Sequence, residues 1–318
     1  MSLETDLLVD RRILRRKLTV WRVLAFLFLA AALIVAFVTL GGGEALRHRQ
    51  DHIARIRLDG FIGDQTANLR LFDQIAKSPA RAVIVDINSP GGATSGGEAL
   101  YDGLRKLSAQ KPTVAVIDGL GASAAYMAAI GTDHIVARRT SLVGSIGVLV
   151  QYPNFTKLLD TIGVSVEAVK STPLKAAPDG LSPTSPAATA ALASIVNDTY
   201  GWFKDLVKER RGYDDSGLAA VTDGRVFTGK QALDLKLIDI MGDESDALTW
   251  LSQAKAVKKD LPIEDWDKPS ITSSFPFAQT GAAWLADSIG LKSLGDIIRA
   301  APQTQPAALD GLVSVWHP

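Results

Sequence analysis

Ser123 sits in Asp118-Gly-Leu-Gly-Ala-Ser-Ala-Ala-Tyr-Met-Ala-Ala-Ile-Gly131, between a β-branched apolar run and an alanine-rich run that carries no charge before Asp133. The pattern predicts a buried strand broken by Gly119 and Gly121, then a buried helix starting near Ser123. A serine at that junction lies at the positive end of the helix dipole, beside backbone N–H groups without an intrahelical acceptor. Such amides hold the oxyanion that a serine nucleophile creates. The amide of the residue after the nucleophile, here Ala124, commonly completes the oxyanion hole. The competing reading of Ser123 is a plain helix cap.

Three further groups bear on that chemistry. Asn88-Ser-Pro-Gly-Gly92 follows the apolar run 82–87 directly, and ligands of open α/β sheets collect at such strand ends. Pro90-Gly91 predicts a turn. The Gly91 amide is a candidate oxyanion donor, and Ser89, Pro90 and Gly92 are candidate substrate contacts; an ordinary loop is the alternative. Ser145, between Gly144 and Ile146, reads either as a turn residue or as a hydroxyl that orients a neighbouring base. A serine nucleophile needs such a base. His134 is placed to pack or meet solvent, so the lysines Lys157, Lys170 and Lys175 are weighed next. Lys175 lies in a prolyl loop beside Leu174, Ala176 and Ala177. Lysine normally titrates near ~10.4, and burial must bring it to about 7–8 before it serves as a base. A solvated loop lysine is the ordinary alternative.

These residues need elements to carry them. Strands are expected at 53–58, 82–87, 113–117, 135–137, 145–150 and 164–169, with Asp59-Gly60 turning the first. Helices are expected at 66–76, 95–109, 122–130, 155–162, 187–211 and 245–255. Residues 226–239 read as strand, Thr228 cap, helix and strand. Strand–helix alternation at this spacing implies an α/β fold with largely parallel strands.

Lys and Arg total 34 and Asp and Glu total 34, a balance that argues against a nucleic-acid partner. With no cysteine and four scattered histidines, thiol catalysis and cysteine-ligated metals are excluded and no zinc spacing is seen. Residues 23–43 carry no charge and follow Arg11, Arg12, Arg15, Arg16, Lys17 and Arg22. That stretch is long enough for a transmembrane helix, with the basic side in the cytoplasm. A cleaved signal peptide is the alternative, though its apolar core is usually shorter. The expected plan is a cytoplasmic segment 1–22, an anchor 23–43, a linker 44–52, a catalytic domain 53–255 and an extension 256–318. The extension holds an amphipathic stretch at 282–300, suited to a membrane surface, to the core or to another subunit.

With Asn88–Gly92, Gly121-Ala-Ser-Ala-Ala-Tyr126, Gly144-Ser-Ile-Gly147 and Gly224-Arg-Val-Phe-Thr-Gly229 in order, the chain resembles the signal peptide peptidase A family. Those are membrane-anchored serine proteases on the Clp protease/crotonase-like α/β fold. The resemblance implies Ser123 as nucleophile, Lys175 as general base, Ser145 as the hydroxyl that holds the lysine, and Gly91 and Ala124 as oxyanion amides. It implies no metal and no cofactor. It implies signal peptides and other apolar peptides as substrates, at a bacterial inner membrane with the catalytic domain on the periplasmic side. The short, single-copy form implies a homo-oligomer, ring-like, in which a neighbouring subunit is a possible source of the lysine. Lys236 departs from the family's small residue, often glycine, at that position. Two rivals share the fold: an acyl-CoA enzyme of the crotonase branch, and a catalytically silent scaffold that binds membrane proteins or peptides.

Overall fold

The computed structural model describes residues 17–30, 48–266 and 313–315. The chain divides into two compact units, residues 1–50 with 269–303, and residues 51–268 with 304–318. In the first unit residues 17–30 form a helix. Among the described residues no helix is long and apolar enough to cross a membrane. The rest of the expected anchor, 31–43, and the amphipathic stretch 282–300 lie outside the described residues.

The second unit alternates strands and helices: β1 (His52–Ile62), α1 (Thr66–Lys77), β2 (Ala80–Ala93), α2 (Thr94–Ser108), β3 (Thr113–Ala122), α3 (Ala124–Ile130), β4 (His134–Ala137) and β5 (Leu142–Gly144). Then come α4 (Thr156–Thr161), α5 (Pro186–Arg211), α6 (Asp215–Val221), β6 (Val226–Thr228), α7 (Gly229–Asp234), β7 (Ile240–Met241), α8 (Glu244–Lys255), β8 (Ile263–Asp265) and β9 (Val313–Val315). One mixed sheet runs in the order β6-β5-β3-β2-β1-β8, with β4 beside β3, β7 beside β4 and β9 beside β2. Pairing is parallel from β8 through β1, β2 and β3 to β4 and β5. It is antiparallel where β6 joins β5 and where β9 joins β2. The fold is therefore mixed α/β with a mostly parallel sheet.

Both faces of the sheet are covered, which explains why its strands read as continuous apolar runs. On β2, Val83, Val85 and Ile87 enter the larger core, with α1, α2 and α3, while Ala82 and Ile84 enter the smaller one, against Ala247 and Leu251 of α8. β3 splits the same way, with Ala115 and Ile117 on one side and Val114 and Val116 on the other.

Several expected boundaries move. β1 passes through Asp59-Gly60 with a register shift between Asp59 and Phe61, so the expected turn is a bulge. β2 likewise continues through Pro90-Gly91 to Ala93, and β3 through Gly119 and Gly121 to Ala122. Neighbouring strands hold these stretches extended despite their glycines. Gly92 belongs in that arrangement: a Cβ there would stand 2.1 Å from the Ile62 carbonyl oxygen. The strand expected at 145–150 ends before Ser145, as β5. Residues 164–169 form no strand and are exposed, because no neighbouring strand pairs with them among the described residues. β8 falls in a segment whose prolines and charges concealed it.

Candidate active site

Three adjacent strands bring the candidate residues to one end of the sheet. Ser89 of β2 stands in register with Gly121 of β3, and Ala122 of β3 with Gly144 of β5. Gly91, Ser123 and Ser145 each follow those pairs by one or two residues. The link between β3 and β5 continues past the strand ends, since the Ser123 amide donates to the Gly144 carbonyl at 2.8 Å. The Ser145 amide donates to the Arg225 carbonyl at 2.9 Å. The stretch Gly224–Gly229 thus holds the Ser145 backbone through Arg225, the residue before β6.

Ser123 is buried and has φ 59° and ψ −119°, a backbone conformation that glycine favours and L side chains rarely adopt. Packing on both flanks holds it there: β3 leads in, and every residue of α3 is buried. Such a strained strand-to-helix turn is how a nucleophilic serine is aimed away from its own backbone. Its carbonyl accepts from Met127 N–H at 3.0 Å, so the helix begins at once. Ser123 makes no side-chain cap hydrogen bond, which removes the plain helix cap as an account of the residue. Ala124 is the first residue of α3, and its N–H is one of the helix-start amides with no intrahelical acceptor. Ser145 also has positive φ, 51°, and is buried.

Gly91 adopts φ 103°. Its N–H already has an acceptor, the Ser89 hydroxyl at 3.1 Å, and that hydroxyl donates to the Gly60 carbonyl at 2.5 Å. Ser89 is thus part of the frame that sets Gly91, beyond its expected place as a substrate contact. Pro90 is half-buried beside it.

Lys175 is not joined to this group within the chain. It lies in a turn where its amide donates to the Thr172 carbonyl at 3.1 Å, and its side chain is exposed. Among the described residues no hydrogen bond or ion pair links it to Ser123 or Ser145. The expected burial of Lys175 beside apolar neighbours is absent from the single chain, because Leu174 and Ala176 are themselves exposed. Lys170 is taken up by Asp179 at 3.0 Å. His134 packs flat on Trp250 with ring centroids 4.4 Å apart, on the α8 side of the sheet. Burial pushes its pKa down, against the pull of Asp239.

Comparisons with known proteins give the family. The family model described as Peptidase family S49 matches residues 105–258, and that described as Clp protease matches residues 51–154. A putative protease of Synechocystis is 33% identical over 248 residues, which cover 75% of this chain and 88% of the relative. The chain belongs to peptidase family S49. This S49 chain is also 31% identical over 211 residues to a putative protease of Methanocaldococcus jannaschii, covering 65% of the chain and 68% of that protein. It is 29% identical over 188 residues to a putative signal peptide peptidase SppA of Enterococcus faecium, covering 58% of the chain and 54% of that protein. S49 membership makes it a serine peptidase on a Clp protease-like fold. Ser123 and Ser145 fall in both matched regions, whereas Lys175 falls only in the S49 one.

Proposed function

We propose that this S49 chain is a membrane-anchored serine endopeptidase with a Ser123–Lys175 dyad, acting on signal peptides and other extended apolar peptides. The observation that carries the reading is Ser123 itself, strained at φ 59° between β3 and the buried helix α3. The neutral amine of Lys175 accepts the Ser123 hydroxyl proton as Oγ attacks the scissile carbonyl carbon. The amides of Ala124 and Gly91 hold the oxyanion, Gly91 by exchanging the Ser89 hydroxyl for it. The C–N bond then breaks, and the lysine passes its proton to the leaving amine. Water attacks the acyl ester, gives a proton to the lysine, and the lysine returns it to Ser123 Oγ. Loss of one oxyanion donor costs about 3–4 kcal/mol of barrier.

The base comes from a neighbouring copy in a homo-oligomeric, ring-like assembly. Two features support that arrangement. Lys175 is exposed in its own chain, and the segment around it displays Phe155, Leu158 (57% exposed), Ile162 (62%), Val166 and Val169 to solvent. An apolar surface of that kind marks an interaction site. The uncharged run 23–43 supports an inner-membrane anchor with the catalytic unit on the periplasmic side.

Mixing two inactive chains tests the reading. Ser123→Ala and Lys175→Ala are each expected to lose hydrolysis of an apolar peptide in detergent while keeping their fold. Co-assembled, they are expected to regain up to about a quarter of wild-type activity, the share of sites in an equal random mixture that receive both wild-type residues. Activity surviving in Ser123→Ala removes the nucleophile. Activity surviving in Lys175→Ala removes the base, and no recovery in the mixture places the lysine in its own chain. A silent scaffold, the rival favoured by the exposed lysine, predicts no hydrolysis by the assembled wild type.

A further inference from the structure

The end of α3 away from Ser123 is closed by two arginines. In its last turn the carbonyls of Ala128 and Ala129 accept from Gly131 N–H at 3.0 Å and Thr132 N–H at 3.1 Å. The next three carbonyls belong to the buried residues Ile130, Gly131 and Thr132, and guanidinium groups take them. Arg210 of α5 donates from Nε to the Ile130 carbonyl at 2.9 Å and from Nη2 to the Thr132 carbonyl at 3.0 Å. Arg105 of α2 donates from Nη1 to the Gly131 carbonyl at 3.1 Å and to the Ser108 hydroxyl at 2.7 Å. Both arginines are half-buried, and burial together with the charge of Arg105 pushes the Arg210 pKa down. Satisfying three carbonyls does not require two like charges brought together. What a guanidinium adds is a rigid planar fork that fixes two acceptors at once.

We propose that Arg210 and Arg105 are positioning residues of the peptidase reaction: they clamp the far end of α3 to α5 and α2, and so fix where Ser123 and Ala124 stand at its other end. The inference rests on the peptidase reading. α3 has seven residues, so its ends lie ~10 Å apart, and a displacement at one end reaches the other. Four of the seven are alanine. Such a smooth surface resists sliding along the helix axis less than interdigitating large side chains do. The clamp supplies the missing resistance. On the α2 side the gap is short, since a Cβ on Gly131 would stand 3.1 Å from Leu104 Cβ. On the α5 side the tie extends further. Val196 and Tyr200 of that helix line a cavity with Ile146 and Gly147, the residues that follow Ser145. One helix thus reaches from the end of α3 to the neighbourhood of the second candidate hydroxyl.

The test is steady-state hydrolysis of an apolar peptide by the full-length chain in detergent, with a thermal melt beside each measurement. Arg210→Ala is expected to lower kcat about a hundredfold, the cost of a displacement on the order of 1 Å at the reacting atoms. KM is expected to stay within about twofold of wild type, since the loss falls on the transition state. Millimolar guanidinium is expected to restore part of kcat by refilling the fork, and sodium chloride at the same concentration is not. A merely structural role gives no such recovery. Arg211→Ala is the control. That side chain bonds the Lys236 carbonyl and Asp239 instead of α3, so its loss is expected to lower Tm and leave kcat. Unchanged kcat in Arg210→Ala, a loss that guanidinium does not reverse, or an equal loss in Arg211→Ala overturns the proposal. Should Arg210→Ala fail to fold, Arg210→Lys decides. It keeps the charge and gives up the fork, and is expected to lose about tenfold in kcat at near wild-type KM; wild-type kcat there overturns the proposal. An inert wild type would sink the peptidase reading and this inference with it, whereas an active wild type with an undisturbed Arg210→Ala sinks the inference alone.

Discussion

Ser123 and Lys236 are both non-glycine residues at positive φ, 59° and 62°, and they differ in what the strain accompanies. At Ser123 it accompanies the proposed nucleophile, so relief there should not be useful. At Lys236 it accompanies a turn between α7 and β7, where family resemblance leads one to expect a small residue. Lys236→Gly is therefore expected to stabilise the chain by about 0.5–1 kcal/mol without changing activity, read as a rise in the urea midpoint. The Tyr126 hydroxyl, fully buried, donates to the Leu237 carbonyl at 2.8 Å and ties α3 to the same turn. Burial drives its ionisation far above the usual phenol range, so it remains a donor across the working pH. Tyr126→Phe leaves that carbonyl unpaired and is expected to cost about 1–3 kcal/mol, seen in the same urea titration.

At the scale of elements, the position of α3 depends on a close approach by α2. A Cβ on Gly97 would stand 2.7 Å from Met127 Sδ and 2.9 Å from Ala124 Cβ. Gly97→Ala is expected to push α3 away, costing about 1–3 kcal/mol and, on the proposed role of the Ala124 amide as an oxyanion donor, lowering kcat more than it changes KM. Steady-state kinetics beside a thermal melt checks both parts. On the opposite face, His134 of β4 is stacked on Trp250 of α8, with Asp239 and Arg211 as its charged neighbours. Burial lowers its pKa below the unfolded value of 6.5. Between those values the unfolded chain binds more protons, so stability is complete above about pH 6.5 and falls as pH drops through the window. His134→Phe is expected to flatten that acid-side decline in a series of melts. Elements of this kind were legible in the sequence where burial imposed a pattern: α1 and α2 on their amphipathic faces, and β2 and β3 as apolar runs. The Thr228 cap was legible too, and it forms a full capping box with Gln231. Strand ends were not, because Pro90 and Gly121 resemble turn residues and only their neighbours in the sheet keep them extended. The candidate residues around Ser123 could be picked from residue types. The exposure of Lys175 could not, since it depends on packing that its flanking apolar residues do not find in one chain.

For the whole molecule, the long helix α5 bears on the proposed assembly. Its sequence has an apolar face along its length, yet among its 26 residues only Ala188, Phe203 and Val207 are buried, and Ile195 remains 49% exposed. That surface and the segment around Lys175 predict activity per chain that rises with protein concentration, checked by diluting the detergent-solubilised enzyme before assay. The other end of the sheet closes differently. β8 adds to the free edge of β1, Arg55 there pairs with Glu244 and Asp265, and Trp266 stacks on His52 while its indole N–H donates to that imidazole at 3.1 Å. Trp266→Ala is expected to cost about 3–5 kcal/mol, read by chemical denaturation. Arg55 and Asp265 stand 210 residues apart in the chain. At about 5–20 residues per second, a ribosome needs roughly 10–40 s to deliver the partner that the first strand is waiting for. Throughout that interval β1 carries an open edge, so it is during synthesis that this domain is most exposed to mispairing and to the chaperones that prevent it.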